Sequence, residues 1–178
     1  MIRWILRRWP AAAAVALAVL TAGGSDTSST VTAMGEILPI LPLLYVLVAK
    51  LRKRAASWPI LIGGSAVLFG LKLLDVVSPA VFFVLVALLV FLWGAIDGDL
   101  RRSRELQLQA LGMVGFGVLA LVGLAVDPDL GRYIVGAGWL LHGIWDFVHL
   151  HRDKTVARSY AEWCGVLDIL IGLELMLL

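Results

Sequence analysis

Three histidines, His142, His149 and His151, fall within the stretch HGIWDFVHLHRD at positions 142–153, with Asp146 among them. These are all the histidines in the chain. Imidazole and carboxylate are the side chains that hold divalent metals, and histidine near neutral pH both takes and gives protons. On a helix, His142, Asp146 and His149 sit at i, i+4 and i+7. At 100° per residue they fall within about 60° of one another, on a single stripe. Trp139 extends that stripe by nearly one more turn. His151 lies about 200° around from His149 and belongs with the basic residues that follow it.

The spacing limits the chemistry. His142 and His149 are two turns apart, about 10.5 Å, so one ion cannot join all three groups. A metal site would use His142 with Asp146, or Asp146 with His149, completed by Asp168 or Cys164 from the next helix. Asp168 is about 10 Å from the inner end of its helix and His142 about 12 Å from the inner end of its own, so the two lie level. Cys164 is one turn below Asp168 on the same face. Asp-x-x-His has the spacing of Glu-x-x-His in di-iron bundles, but the further carboxylates such bundles need are missing. A proton or ion path is the second use, with one rung per turn. The third is structural: interhelical hydrogen bonds, worth about 0.6 kcal/mol on average in membranes.

A second polar group is set apart from the first. Glu36, Lys72, Asp75 and Glu174 all fall near the opposite ends of their helices. Lys72 is the one lysine inside an apolar run, and an unpaired ammonium there is costly, so a pair with Glu36 or Glu174 is expected. This group is also the candidate outer mouth of a path that starts at the histidine stripe.

The elements that must position these residues follow from composition. Of 178 residues, 61% are hydrophobic and 16% charged, and the mean hydropathy is +0.94. Such a chain cannot cover its apolar surface with its own polar residues, so lipid is its solvent and its first partner. The expected fold is all-α: a transmembrane bundle of seven spans at about 9–24, 33–50, 58–76, 79–97, 105–126, 131–150 and 161–178. Residues 1–24 read as the first span or as a signal peptide cleaved near Gly24, which leaves six spans; residues 25–178 form one bundle domain. Ser78-Pro79, Asp127-Pro128 and the box Ser159-Tyr160-Ala161-Glu162 mark helix starts. Pro39 and Pro42 should kink the second span.

Thirteen of the fifteen Lys and Arg residues lie on alternate loops, Lys72 and Arg132 being the exceptions. That is the positive-inside pattern of a multi-pass cell-membrane protein, with basic loops cytoplasmic and the C-terminus outside. Trp4, Trp9, Trp58, Trp93, Trp145 and Trp163 fall near the inner boundary as an aromatic belt. Glycines seven apart, Gly63 and Gly70, Gly136 and Gly143, Gly165 and Gly172, mark faces for close helix packing or for a homo-oligomer or another membrane protein. The balance of Arg over Lys with much Ala, Leu, Val and Gly is that of a GC-rich bacterial genome. No basic run interleaved with aromatics points to nucleic acid.

One cysteine excludes an intrachain disulfide and a Cys-based zinc motif. No Gly-x-Ser-x-Gly, His-Glu-x-x-His or phosphate-binding glycine loop occurs. A divalent metal is the one cofactor these residue types would take. The functional expectation is binding or transport coupled to protons or small ions, through a polar inner cavity between the last two helices. The alternatives are a membrane-embedded metal-dependent enzyme and a structural or assembly role. A cavity joining His142, Asp146 and Asp168 to Lys72 and Glu174 would mark a path; donors converging on a point in a dead-end pocket would mark a metal; side chains facing lipid or sealed by packing would leave the structural role.

Overall fold

The computed structural model describes residues 8–23 and 26–178. Arg3, Trp4, Arg7 and the Gly24 cleavage point lie outside the described residues. In chain order the helices are α1 (Trp9–Thr21), α2 (Thr27–Ile37), α3 (Ile40–Leu51), α4 (Ser57–Leu74), α5 (Pro79–Ile96), the short α6 (Asp99–Arg102), α7 (Arg104–Ala125), α8 (Pro128–Arg152) and α9 (Arg158–Leu177). A 3-10 turn at Arg54–Ala56 leads into α4, and no strand occurs among the described residues.

Among the described residues, four segments are long and apolar enough to cross a membrane: the α2–α3 rod Thr27–Leu51, Arg54–Leu74, Pro79–Ile96 and Arg104–Ala125. The seven expected spans are not confirmed among these residues. α1 has 13 residues, roughly 20 Å of helix against a core of about 30 Å. α8 and α9, with 25 and 20 residues, are long enough but too polar or too charged: α8 carries His142, Asp146 and His149, and α9 carries Glu162 and Asp168 besides Glu174 near its end. His142, Asp146, His149, Glu162 and Asp168 are buried in the bundle, while Leu141, Ile144, Phe147 and Val148 of α8 face outward. The polar stripe therefore lowers the hydropathy of both helices without being on the outer surface.

Helix boundaries depart from expectation where side chains have other partners. The second rod starts at Thr27, ahead of the expected start at Ala33, because the Asp26 carboxylate accepts the Ser29 N–H at 2.9 Å. Its break falls at Leu38–Pro39, as two prolines without N–H donors require; the Leu38 carbonyl is recovered by Leu41 N–H at 3.3 Å. Asp127 caps α8 through the Leu130 N–H. Ser78 precedes Pro79 without a side-chain cap. The expected capping box at Ser159 is absent, since α9 starts at Arg158 with Ala157 as its N-cap, two residues ahead of Ser159. Ser159 accepts the Trp58 indole N–H at 3.0 Å, and Glu162 pairs with Arg8 at 3.0 Å.

α8 and α9 form the centre. α1 lies parallel to α9, tied by Arg8–Glu162 at one end and by the Gly23 N–H on Glu174 at the other, 3.1 Å. α2 and α7 cover α8, α3 packs on α7, and α4 and α5 lie outside α3. The α8–α9 contact depends on two of the three glycine pairs. A Cβ on Gly136 would sit 3.2 Å from the Gly172 carbonyl oxygen, and one on Gly143 would sit 3.1 Å from that of Gly165. Backbones meet there as small residues allow in membranes. Gly63 and Gly70 of α4 have nothing within 4 Å of such a Cβ.

An ionic layer ties the basic loops together. Lys50 bonds Asp97 at 2.6 Å and Asp99 at 2.7 Å, and its ammonium lies 4.6 Å from the Trp93 ring centroid. Arg52 adds a bond to Asp99, and Arg54 pairs with Asp153. The hydrogen bond from Lys50 holds the Asp99 carboxyl below the ordinary carboxylate range. A carboxyl held low in the folded state contributes stability that is present above the ordinary value of about 4 and is lost as pH falls through the lowered value. Lys50→Met is therefore expected to return the Asp99 titration, followed by NMR of its carboxyl carbon, to the ordinary range. An unchanged Asp99 titration would show that Lys50 is not its cause.

Candidate functional site

Helical register sets the centre. The glycine contacts fix α8 against α9 so that Gly143 faces Gly165, which brings His142 opposite Asp168. The His142 Nδ1 lies 2.7 Å from Asp168 Oδ2 and 3.1 Å from Asp146 Oδ2. Cys164 Sγ is 3.7 Å from Asp168 Oδ2 and 3.5 Å from the Tyr160 hydroxyl. Donor atoms of His142, Asp146, Cys164 and Asp168 all lie within 4.8 Å of one another, and all four residues are fully buried. Asp146 and Asp168 thus converge on one imidazole nitrogen from two helices, with Cys164 beside Asp168.

The tautomer follows from the neighbours. A nitrogen lone pair aimed at two carboxylate oxygens would be repelled, so Nδ1 carries the proton and donates it to Asp168. The Tyr45 hydroxyl, from α3, donates to Asp146 Oδ1. Asp146 Oδ2 and His142 Nε2 are buried with no hydrogen-bond partner. Phe116 and Tyr45 pack their rings edge-on to the imidazole, at centroid distances of 4.9 and 5.7 Å.

His149 belongs to a separate group nearer the loops. Its Nδ1–H donates to the Trp145 carbonyl at 2.9 Å, and its Nε2 accepts from the Gln109 amide at 2.9 Å. The same Gln109 nitrogen donates to Glu105 at 2.9 Å, and Thr155 also donates to Glu105. The Glu105 side chain is 39% exposed. A polar chain thus runs from solvent through Glu105 and Gln109 to buried His149. There the Tyr45 ring, 4.8 Å away, leads on to Asp146. His151 is exposed.

The remaining expected residues are elsewhere. Lys72 pairs with Glu36, while Glu174 holds the Gly23 amide instead. Trp139 donates its indole N–H to the Met34 carbonyl at 3.1 Å and walls a cavity of about 340 Å³. That cavity is apolar, with Leu41, Leu167 and Ile171 in its lining, and it includes neither the four centre residues nor Lys72, Glu36 or Glu174.

Sequence reasoning missed Tyr45, Tyr160, Glu105, Gln109 and Thr155. Two signals were present: Gln109 is an uncharged amide inside a helix that turns apolar, and Tyr160 is four residues before Cys164. Tyr45 carries no local signal, because only the tertiary packing of α3, chiefly on α7, brings its hydroxyl to Asp146. No family model matches the chain, and neither does any curated protein or solved structure.

Proposed function

We propose that this protein is a multi-pass membrane protein whose buried centre of His142, Asp146, Asp168 and Cys164 binds a positive charge, a proton or small cation, exchanged with the cytoplasmic side. In this reading all the long helices, α8 and α9 included, cross the bilayer, with the basic loops inside and the C-terminus outside. Support for the orientation comes from the alternation of Lys and Arg between loops. Support for the span count comes from α8 burying its polar residues and turning its apolar ones outward.

One observation carries the binding role. Two fully buried carboxylates face a single imidazole nitrogen. Even a charged imidazolium balances only one of them. An uncompensated charge in a low-dielectric interior does not persist; the group takes a proton or a metal. The route of exchange in this reading is the Glu105–Gln109–His149 chain, which ends at the Tyr45 ring, 4.8 Å from His149, whose hydroxyl donates to Asp146. The outer Lys72–Glu36 pair plays no part in it, so the role is binding with access from one side.

Infrared spectroscopy of metal-free protein at neutral pH tests this. A protonated-carboxyl C=O band is expected, absent in Asp168→Asn, and its exchange in D2O should slow at least tenfold in Gln109→Leu. The reading fails if no such band exists and no added cation changes the carboxylate bands.

A further inference from the structure

The donor set is more specific than a proton requires. We infer that the centre is a binding site for one divalent transition-metal ion of the zinc class, with His142 Nδ1, Asp146 Oδ2, Asp168 Oδ2 and Cys164 Sγ as its ligands. This rests on the cation-binding reading above and names the cation.

Distances come first. Zinc bonds at about 2.0–2.3 Å to N, O and S place tetrahedral ligands about 3.3–3.8 Å apart. The observed separations include 2.7, 3.1 and 3.7 Å, and none exceeds 4.8 Å. Entry of an ion therefore needs side-chain adjustments of about 1 Å or less and no movement of the helices. Asp146 Oδ2 supplies an independent pointer. It is buried, lacks any hydrogen bond, and faces the same nitrogen as Asp168. An anionic oxygen in that position has the place of a ligand.

Ligand chemistry selects the ion. Imidazole and thiolate favour zinc and its neighbours over calcium or magnesium, which take oxygen donors in larger numbers. Two hard carboxylates disfavour Cu(I), which prefers sulfur. Binding is balanced by protons. The ion takes the Nδ1 lone pair of a neutral His142, whose one remaining proton then sits on Nε2; the Cys164 thiol proton, any proton shared by the carboxylates and the second proton of His142 if it was an imidazolium pass to bulk water. The bound ligands carry three negative charges against two positive ones. The remaining charge is spread by two phenols: Tyr45 already donates to Asp146 Oδ1, and Tyr160 stands at 3.5 Å from the sulfur, ready to donate once the thiol is deprotonated. Such oriented donors around the ligands are what stable metal sites have. Four protein donors also leave no open position, which makes this a holding site rather than a hydrolytic one.

Cobalt(II) titration of the chelator-treated, full-length protein in detergent tests the inference. One Co²⁺ per chain is expected, with tetrahedral ligand-field bands and a sulfur-to-cobalt charge-transfer band. Zinc should displace it, while calcium and magnesium should not. Cys164→Ser should remove the charge-transfer band, and His142→Gln should weaken binding at least tenfold, with His151→Gln unchanged. The metal site is overturned if wild-type protein binds no stoichiometric cobalt, if the charge-transfer band survives Cys164→Ser, or if His142→Gln and His151→Gln weaken binding equally. Absence of cobalt binding alongside the protonated-carboxyl band would remove the metal and leave the proton-binding role; absence of both signals removes both.

Discussion

His142→Ala is expected to cost about 3–5 kcal/mol of stability, because it leaves two buried carboxylates without their shared partner. The cause is charge rather than a lost hydrogen bond. Interhelical hydrogen bonds in membranes average about 0.6 kcal/mol and reach about 1.7, so a loss of that size would mean His142 is only one bond among many. Asp146, Asp168 and Cys164 are all fully buried, so bulk water does not take the place of the imidazole. Steric trapping in bicelles measures the difference. A cost under about 1 kcal/mol, the range of an ordinary interhelical bond, would sink the electrostatic account of the centre. The matching variant is the triple replacement of His142, Asp146 and Asp168 by leucine. Apolar replacement of a whole buried ionic group is often neutral or stabilising by about 1–4 kcal/mol. If the triple variant is as unstable as His142→Ala, the cluster is scaffold. If it recovers stability and loses cation binding, the cluster exists for its chemistry at the expense of the fold.

The extent to which this site could be read from sequence depended on the range of each contact. Helical arithmetic brings Asp146 within a turn of His142, and equal depth on adjacent antiparallel helices brings in Asp168, because both follow from a rise of about 1.5 Å per residue. The same arithmetic groups His149 with His142, and there the structure draws a distinction. Position on a stripe says nothing about partners, and Gln109 of α7 takes His149 into a different network. Local motifs failed where a tertiary partner competed. Ser159 and Glu162 have the spacing of a capping box, but Trp58 and Arg8 claim them. Hydropathy fails for the opposite reason. A window that averages hydropathy and counts charges treats Asp146 and Asp168 as exposed to lipid, whereas both are buried, so the two helices that build the centre are not marked with the other spans.

The glycine pairs give the second large effect, and they separate packing from surface. Gly172→Ala is expected to destabilise the bundle by about 1–3 kcal/mol, the usual cost of overpacking. Its new Cβ would stand 2.9 Å from the Gly136 carbonyl oxygen and 2.6 Å from Leu140 Cγ. The leucine can rotate; the backbone oxygen cannot, so α8 and α9 must separate. Because the same interface aligns His142 with Asp168, cation affinity should fall together with stability. Gly165→Ala acts more directly, since its Cβ would meet the Cβ of Asp146 at 3.2 Å and move that carboxylate with little unfolding. On α4 the sign reverses. Gly63 and Gly70 meet nothing within 4 Å, and glycine costs about 1 kcal/mol relative to alanine within a helix. Gly63→Ala with Gly70→Ala should leave the monomer as stable or more so. Loss of stability in that double variant, with a shift in assembly size by native mass spectrometry, would show that the open α4 glycines pack against another chain. Equal losses at Gly172 and at the α4 pair would mean that helix propensity or lipid contact, not the α8–α9 backbone approach, sets the effect.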